Sequence, residues 1–197
     1  MNRVAVALGL ACLACSLACS LAVRAQVPGD GPRYADGTNL VRPPDYREWP
    51  FLGSGLGLTY EGETTPPTPN FTNVFVNPSS YRAFMQTGAW PNGTVFVLEV
   101  RRSQTDATLI INGGRFQTDL LVLEAEVKDS RFPDGWAFFN FGRGTALTDV
   151  VAPLSGKAVA SCVECHTKHT AVERTFVQFY PTLLEVARRH GTVKPGF

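Results

Sequence analysis

The segment with the clearest chemical meaning is Cys162-Val163-Glu164-Cys165-His166, where two residues separate a pair of thiols and a histidine follows the second. In haem c, two thiols add across the porphyrin vinyl groups. A two-residue spacer on a helical turn sets both sulfurs along one ring edge, and the next histidine lies beneath the iron. The spacing therefore predicts one covalent haem c, bound through Cys162 and Cys165, with His166 as an axial iron ligand.

Three other interpretations use the same cysteines. A disulfide between Cys162 and Cys165 would close a very short loop and stabilise little. A thioredoxin-like redox pair requires a βαβ context, which is absent upstream. A zinc site with Cys162, Cys165 and His169 lacks a second ligand pair at a suitable distance. Covalent haem is the favoured prediction.

No strong sixth iron ligand follows from the sequence. Met85 is the only methionine after Met1, and a core position is the commoner fate of such a residue. His169, three residues after His166, shares its helical face and cannot readily reach the opposite side of the iron, and His190 is expected to be solvated. We therefore predict a five-coordinate iron with an apolar, aromatic distal pocket, and an open site of this kind binds small molecules.

The N-terminus predicts export. Met1-Asn2-Arg3 precedes an apolar run over residues 4–23, and Val23-Arg24-Ala25 supplies small residues for cleavage. We predict a signal peptide over residues 1–25 and a single periplasmic domain over residues 26–197. The alternatives are a membrane anchor, because the run approaches the ~20 residues that cross a bilayer, and a lipoprotein site, which lacks the preferred leucine three residues before a cysteine.

Composition fits one globular domain. The chain has 197 residues, of which 44% are hydrophobic, and this content supports a hydrophobic core that needs no disulfides or structural metal to stabilise it. Its formal net charge of +1 gives no electrostatic reason to bind nucleic acid or anionic membrane, so neither partner is expected. We also expect no membrane span once the leader is removed.

Four segments predict strands. Residues 94–100 are dense in β-branched and aromatic side chains, and residues 72–76, 120–127 and 136–141 have similar composition. Their mostly short connections favour an antiparallel sheet. Residues 26–57 are predicted to be a polar wrapping segment with one short turn at residues 46–50, and the prolines in residues 58–71 predict a loop.

Helices are predicted on either side of these strands. Residues 78–85 begin with proline and serine, and Gly88 can end that helix. Thr170 and Glu173 have the spacing of a capping box, and apolar residues continue at helical spacing, across a break at Pro181, to a stop at Gly191. The predicted fold class is α+β, an antiparallel β-sheet with flanking helices and a haem attached near the C-terminus.

Three strand carboxylates could serve as proton relays if they were buried. They are Glu99, Glu124 and Glu126. Carboxylates on strands usually face water, and we expect the same of these three.

The sequence resembles the cytochrome P460 family, together with its relative cytochrome c-prime-beta. Besides the haem motif, the similar segments follow one order over most of the chain after the leader. They are Tyr46-Arg47-Glu48-Trp49, Val76-Asn77-Pro78-Ser79-Ser80-Tyr81, Pro91-Asn92-Gly93-Thr94-Val95, Val127-Lys128-Asp129-Ser130, Gly135-Trp136-Ala137-Phe138 and Phe176-Val177-Gln178-Phe179-Tyr180-Pro181.

The resemblance implies a periplasmic homodimer built around an antiparallel sheet. In the hydroxylamine-oxidising branch of the family, a lysine on the strand after the Pro-Asn-Gly turn is cross-linked to the porphyrin edge. This chain has Leu98 at that position, and leucine cannot form the link. Lys157, five residues before Cys162, remains a remote substitute. The resemblance therefore favours the gas-binding branch, whose apolar distal face admits nitric oxide.

Residues on the predicted strands are candidates for the distal pocket. Phe96 and Leu98 are two residues apart and share a strand face, and Phe75 comes from a strand expected to pair nearby. We predict that Phe96, Leu98 and Phe75 contribute to the pocket over the iron, although an ordinary core role is as plausible for each.

The sequence predicts three possible functions, from the most to the least favoured. The first is a periplasmic haem c protein that binds nitric oxide or a similar small gaseous or nitrogenous ligand for capture, detoxification or sensing. The second is an oxidoreductase acting on hydroxylamine or nitric oxide that passes electrons to a soluble redox partner. The third is a low-spin electron-transfer cytochrome c with Met85 as sixth ligand.

Overall fold

The computed structural model describes residues 29–59, 64, 67–105 and 113–197. These residues form eight strands: β1 (Leu40–Val41), β2 (Phe51–Leu56), β3 (Phe71–Val76), β4 (Thr94–Gln104), β5 (Phe116–Lys128), β6 (Trp136–Arg143), β7 (Ala146–Leu147) and β8 (Val150–Val151). Strands β2 to β7 lie side by side in chain order in one antiparallel sheet, and β1 pairs with β8. The predicted leader and part of the predicted loop over residues 58–71 lie outside the described residues.

Strands β4 and β5 form the centre of the sheet. Their β-branched and aromatic residues fit a pleated surface, and antiparallel pairing sets Phe96 opposite Glu126 and Leu98 opposite Glu124. Because side chains alternate along a strand, these four residues share one face of the sheet. The predicted strands are thus confirmed, each with longer bounds.

Each face of the sheet carries its own apolar cluster. One cluster contains Val95, Val97 and Leu123 and is covered by the segment before β2, which contributes Leu40 and Trp49. The other cluster includes Val76, Phe96, Phe84 and Leu183 and lies under the helices. Complete burial of a side chain such as Phe84 stabilises the fold by about 1.5–3 kcal/mol. The two faces of the sheet are therefore covered by different parts of the chain and can have different roles.

Three helices complete the fold: α1 (Pro78–Thr87), α2 (Lys157–Lys168) and α3 (Pro181–His190). Gly88 and Gly191 adopt left-handed conformations at the C-termini of α1 and α3, as predicted. At Gly88 a side chain is also excluded by space, because a Cβ would lie 2.7 Å from the Cβ of His190. The antiparallel sheet and the helices agree with the predicted α+β class. A membrane-crossing helix is absent from the described part of the chain.

Two predictions about local structure are wrong. The predicted wrapping segment, residues 26–57, contains the strand β2. Gly53, Ser54 and Gly55 give this strand no apolar pattern of its own, and it forms by pairing with β3. Thr170 does not cap a helix, because its hydroxyl donates to the carbonyls of His166 and Glu173 instead of accepting from a backbone N–H. The chain turns there, forms a short 3₁₀ turn at Val177–Phe179 and enters α3 at Pro181.

Candidate functional site

Helix α2 carries the two thiols and the histidine. Cys162 and His166 are four residues apart, so they lie one turn apart on the same side of the helix. Both line a cavity between α2, the sheet and the segment leading to α3, whereas Cys165 is not among the lining residues. Two of the three predicted site residues on the helix, Cys162 and His166, thus line one cavity.

The cavity is mainly apolar and draws on four strands. Its lining also includes residues of β3, β4, β5 and β6 and of the loops before and after α2; these are Val74, Phe96, Leu98, Glu124, Ala125, Glu126, Phe138, Phe139, Leu154, Thr175, Phe176 and Tyr180. Two aromatic rings contact the imidazole edge-to-face, with centroid distances of 4.8 Å for Phe138 and 4.9 Å for Phe176. Both rings therefore pack against the imidazole.

The orientation of His166 follows from one hydrogen bond. Its Nδ1 lies 2.8 Å from the carbonyl oxygen of Arg174, which can only accept, so Nδ1 carries the proton and donates it. The lone pair of the neutral ring then belongs to Nε2. A histidine that ligates a metal commonly has this arrangement, because the hydrogen bond fixes both the tautomer and the ring plane.

A carboxylate lies beside the same nitrogen. Oε1 of Glu126 is 3.2 Å from Nδ1 of His166, yet this buried oxygen has no hydrogen-bond partner among the described residues. Both observations agree once the single Nδ1 proton is assigned to the closer Arg174 carbonyl. Burial raises the pKa of Glu126, and the neighbouring imidazole opposes that rise. The site thus contains one buried oxygen whose hydrogen-bonding capacity the protein does not use.

The surroundings of the two thiols do not lower their pKa values. Cys162 and Cys165 are free thiols, and burial raises the pKa of each, assisted at Cys162 by the Glu124 carboxylate. Reactive cysteines instead have lowered pKa values and electropositive surroundings. In the part of the chain that the structure describes, no group of three His, Cys, Asp or Glu side chains is placed to hold a metal ion.

The structure brings two of the three predicted distal residues together. Phe96 and Leu98 line the cavity, whereas Phe75 lies on the other side of the sheet, against Tyr46 and Phe51. The reason is the register: Phe75 is opposite Val97, and Val97 belongs to the other face of β4. The β3 residue that reaches the cavity is Val74.

The strand carboxylates do not face water as expected. Glu99 is only 2% exposed and Glu126 only 8% exposed, while Glu124 lines the cavity beside Glu126. Burial raises the pKa of Glu124, although a hydrogen bond from Asn140 and the charge of Arg143 oppose the rise. Sequence alternation places Phe96 and Leu98 on one face of their strand, but it contains no information about what covers each face of the sheet.

The other candidate residues lie away from the cavity. Met85 packs against the core cluster under α1, and Lys157 is exposed at the start of α2; neither lines the cavity. His190 is exposed at the end of α3, and His169 caps the C-terminus of α2.

Sequence reasoning missed three contributors to the site. They are the rings of Phe138 and Phe176 and the backbone carbonyl of Arg174. A backbone acceptor leaves no trace in residue type, and Phe176 falls within the segment that the sequence predicts as helical, from Thr170 to Gly191.

A comparison with protein-family models matches residues 43–177 to the cytochrome P460 model. The chain belongs to the cytochrome P460 family. The match covers more than half of the chain and includes the sheet, α2 and the turn that holds His166. In a search of curated proteins, no sequence matches this chain. Family membership implies haem binding, and it makes the chain a c-type cytochrome related to nitric oxide and hydroxylamine chemistry.

The residues at the site fit a haem. Two free thiols and an imidazole share one helix, Nε2 of His166 retains its lone pair, and the cavity beside them is lined mostly by apolar and aromatic groups. The buried, unpartnered Oε1 of Glu126 lies in the same cavity. When bound, the haem would supply an iron able to take ligands and exchange electrons.

Proposed function

We propose that this chain is a haem c protein that binds nitric oxide or a similar small ligand at an open iron site. One haem is attached through Cys162 and Cys165, and His166 is its axial ligand. The supporting observation is the hydrogen bond from His166 Nδ1 to the Arg174 carbonyl, which leaves Nε2 available on the cavity-lining side of α2.

A five-coordinate iron is supported by the composition of the cavity. Among the described residues that line it, His166 supplies the only imidazole and no residue supplies a thioether. Met85, the ligand required for an electron carrier, packs in the core instead. The open position would face apolar groups such as Phe96 and Leu98, and such surroundings favour a small, weakly polar ligand over water.

The first experiment tests the haem itself. Protein prepared with the c-type maturation machinery should keep its colour on the polypeptide after denaturing acid-acetone extraction, and its mass should exceed the peptide mass by one haem. The ferrous spectrum should be high-spin, without the red-shifted band of a lysine cross-link. Loss of all colour on extraction contradicts the proposal, and a low-spin spectrum that Met85→Leu abolishes supports the electron carrier.

The second experiment tests the distal pocket with a matched pair of variants. Phe96→Leu should speed nitric oxide association several-fold, because a ring that lines the cavity is removed. Phe75→Leu makes the same change on the same sheet but on the opposite face, and it should leave association unchanged. Equal effects of the two variants would contradict the assigned pocket.

A third experiment uses Leu98. If its strand faces the porphyrin edge, Leu98→Lys should create a covalent link that shifts the ferrous band to the red. Lys128→Leu, introduced together with Leu98→Lys, would exclude a link from the next lysine of the sheet.

The second candidate function is oxidation of hydroxylamine or nitric oxide. It is favoured by one observation, the two carboxylates Glu124 and Glu126 that line the cavity, because oxidation of hydroxylamine releases protons that a nearby base can accept. Steady-state reduction of a soluble electron acceptor by hydroxylamine distinguishes this function from simple ligand binding. Turnover that falls in Glu124→Gln while nitric oxide affinity is retained supports the oxidase.

Cellular placement and assembly are part of the same proposal. Residues 1–25 direct export and are removed, and residues 26–197 form a single periplasmic domain that associates as a homodimer. The N-terminal sequence of protein from the periplasmic fraction tests the cleavage site, and light scattering of the purified protein tests the dimer.

A further inference from the structure

The turn between α2 and α3 contains a residue in an unfavourable backbone conformation. Glu173 has a φ of 50°, and no other described residue apart from glycine has a positive φ. A side chain in this left-handed region crowds its own backbone, so the conformation persists only where surrounding contacts impose it. Glu173 immediately precedes Arg174, whose carbonyl accepts the hydrogen bond from His166.

Two elements remote in sequence hold the Glu173 carboxylate. Nζ of Lys128, at the end of β5, lies 2.5 Å from Oε2 of Glu173 and 2.7 Å from the carbonyl oxygen of Trp90. The backbone N–H of Trp90 donates to Oε1 of Glu173 at 3.2 Å. Both carboxylate oxygens are therefore engaged, each from a different direction, and the side chain is tied to the sheet.

The same turn is anchored at a second point. The indole N–H of Trp90 donates to the Thr175 hydroxyl at 2.9 Å, and that hydroxyl donates to the Val172 carbonyl at 2.8 Å. Trp90 itself is 2% exposed, and its ring contacts that of Phe96, which lines the cavity. Residues 172–175 are therefore fixed on both sides of Arg174, and the peptide groups around its carbonyl have little freedom to rotate.

We propose that Lys128 and Glu173, acting with Trp90, are positioning residues that aim the Arg174 carbonyl at His166 and thereby set the donor strength of the axial imidazole. This inference rests on the proposed function, since it takes His166 as the iron ligand. An imidazole that donates its Nδ1 proton to a well-aligned carbonyl is more basic, so it binds iron more strongly and favours the ferric state. If the Arg174 carbonyl is less firmly positioned, both the iron–histidine bond and the preference for the ferric state become weaker.

The test uses the haem-bearing protein and measures the iron–histidine stretching frequency and the midpoint potential of the iron, two properties that global stability does not control. Glu173→Gln keeps the shape and the Trp90 contact but removes the charge facing Lys128, and Lys128→Met removes the cation. Each variant should lower the iron–histidine stretching frequency in the ferrous resonance Raman spectrum and raise the midpoint potential. Combining them should add little to either shift, because both changes break one link.

Three further variants make the result specific. Lys128→Arg restores a cation and should recover most of the wild-type values. Asp119→Asn removes one charge from an exposed ion pair with Arg102, far along β5 from Lys128, and should shift neither property. Glu173→Gly accepts the left-handed backbone but lacks the carboxylate, so it should behave like Glu173→Gln. Wild-type values in Glu173→Gly would overturn the proposal, because the backbone alone would then aim the carbonyl.

The two ways of failing are distinguishable. If wild-type protein carries no haem, or its iron is not bound by His166, the proposed function fails before any variant is compared. If wild-type protein shows the expected iron–histidine stretch but Glu173→Gln and Lys128→Met leave both the stretch and the potential unchanged, the pair only stabilises the fold and the inference is wrong.

Discussion

Glu99 and Glu126 are both buried on the central strands, but on opposite faces of the sheet. Glu99 accepts from the Tyr46 hydroxyl at 2.5 Å, from Arg47 at 2.7 Å and from Arg101 at 2.6 Å, with Asn73 a further donor. Glu126 lies 3.2 Å from His166, and its Oε1 has no hydrogen bond to any residue that the structure describes. One carboxylate is fully satisfied and the other is not.

The difference between the two carboxylates shows that the two faces of the sheet have different roles. Removing a carboxylate from water is costly unless hydrogen bonds and opposite charges compensate. On the Glu99 face, the compensation comes from the sheet itself and from Tyr46 and Arg47 of the segment before β2, so the carboxylate fastens that segment to the sheet. On the Glu126 face, part of the cost is left uncompensated next to the residue that we propose binds iron. Paired burial therefore indicates a structural role, and unpaired burial indicates a site.

The largest expected effect separates the two faces directly. Glu99→Gln leaves Arg101 and Arg47 without their counter-charge, and breaking a buried pair of this kind should lower the free energy of unfolding by about 3 kcal/mol. Urea unfolding of the purified protein measures the change. The iron–histidine stretch and midpoint potential should stay at wild-type values, and a loss below about 1 kcal/mol would show that the network is not needed.

A smaller effect is expected at the phenol of the same network. Tyr46→Phe removes one hydrogen bond to Glu99 while the two arginines remain, and it should cost about 1–2 kcal/mol in urea unfolding. The variant keeps the ring that contacts Phe75, so the loss reports the hydroxyl.

The pH dependence of the same variant has a defined sign. Burial, aided by the hydrogen bond to Glu99, raises the pKa of Tyr46 in the folded protein. The folded state then holds a proton that the unfolded chain releases above about pH 10, so wild-type stability falls as the pH rises through that range. Tyr46→Phe should lose less stability over the same range. Parallel curves for the two proteins would contradict a raised pKa at Tyr46.

The sequence predicts the centre of the sheet better than its edge. Residues 94–100 and 120–127 are rich enough in β-branched, aliphatic and aromatic side chains to predict both strands, and alternate residues of each strand then share a face. Strand β2 was missed because Gly53 and Gly55 carry no strand preference, and its order comes from β3. Local pattern is thus sufficient where a strand has its own propensity and insufficient where a neighbour supplies the order.

The candidate site also has a part that the sequence predicts and a part that it does not. The spacing of Cys162, Cys165 and His166 is local and predicts the haem motif, and alternation assigns Phe96 and Leu98 to one face. The carbonyl of Arg174 and the donors to Glu99 could not be predicted, because backbone acceptors have no residue signature and Tyr46 lies 53 residues from Glu99. Contacts formed only by the complete fold remain outside the reach of sequence patterns.

The smallest stability effect is expected at Glu126, although its effect on the iron should be the larger one. Glu126→Gln keeps the volume and removes a buried charge whose Oε1 makes no hydrogen bond, so the free energy of unfolding should change by less than about 1 kcal/mol. In the ionised form of the carboxylate, loss of that charge 3.2 Å from His166 should raise the midpoint potential. Glu99→Gln supplies the opposite pattern of a large stability loss without a potential shift. If Glu126→Gln instead destabilised the protein as much as Glu99→Gln and left the potential unchanged, both carboxylates would be structural and the division between the two faces would not hold.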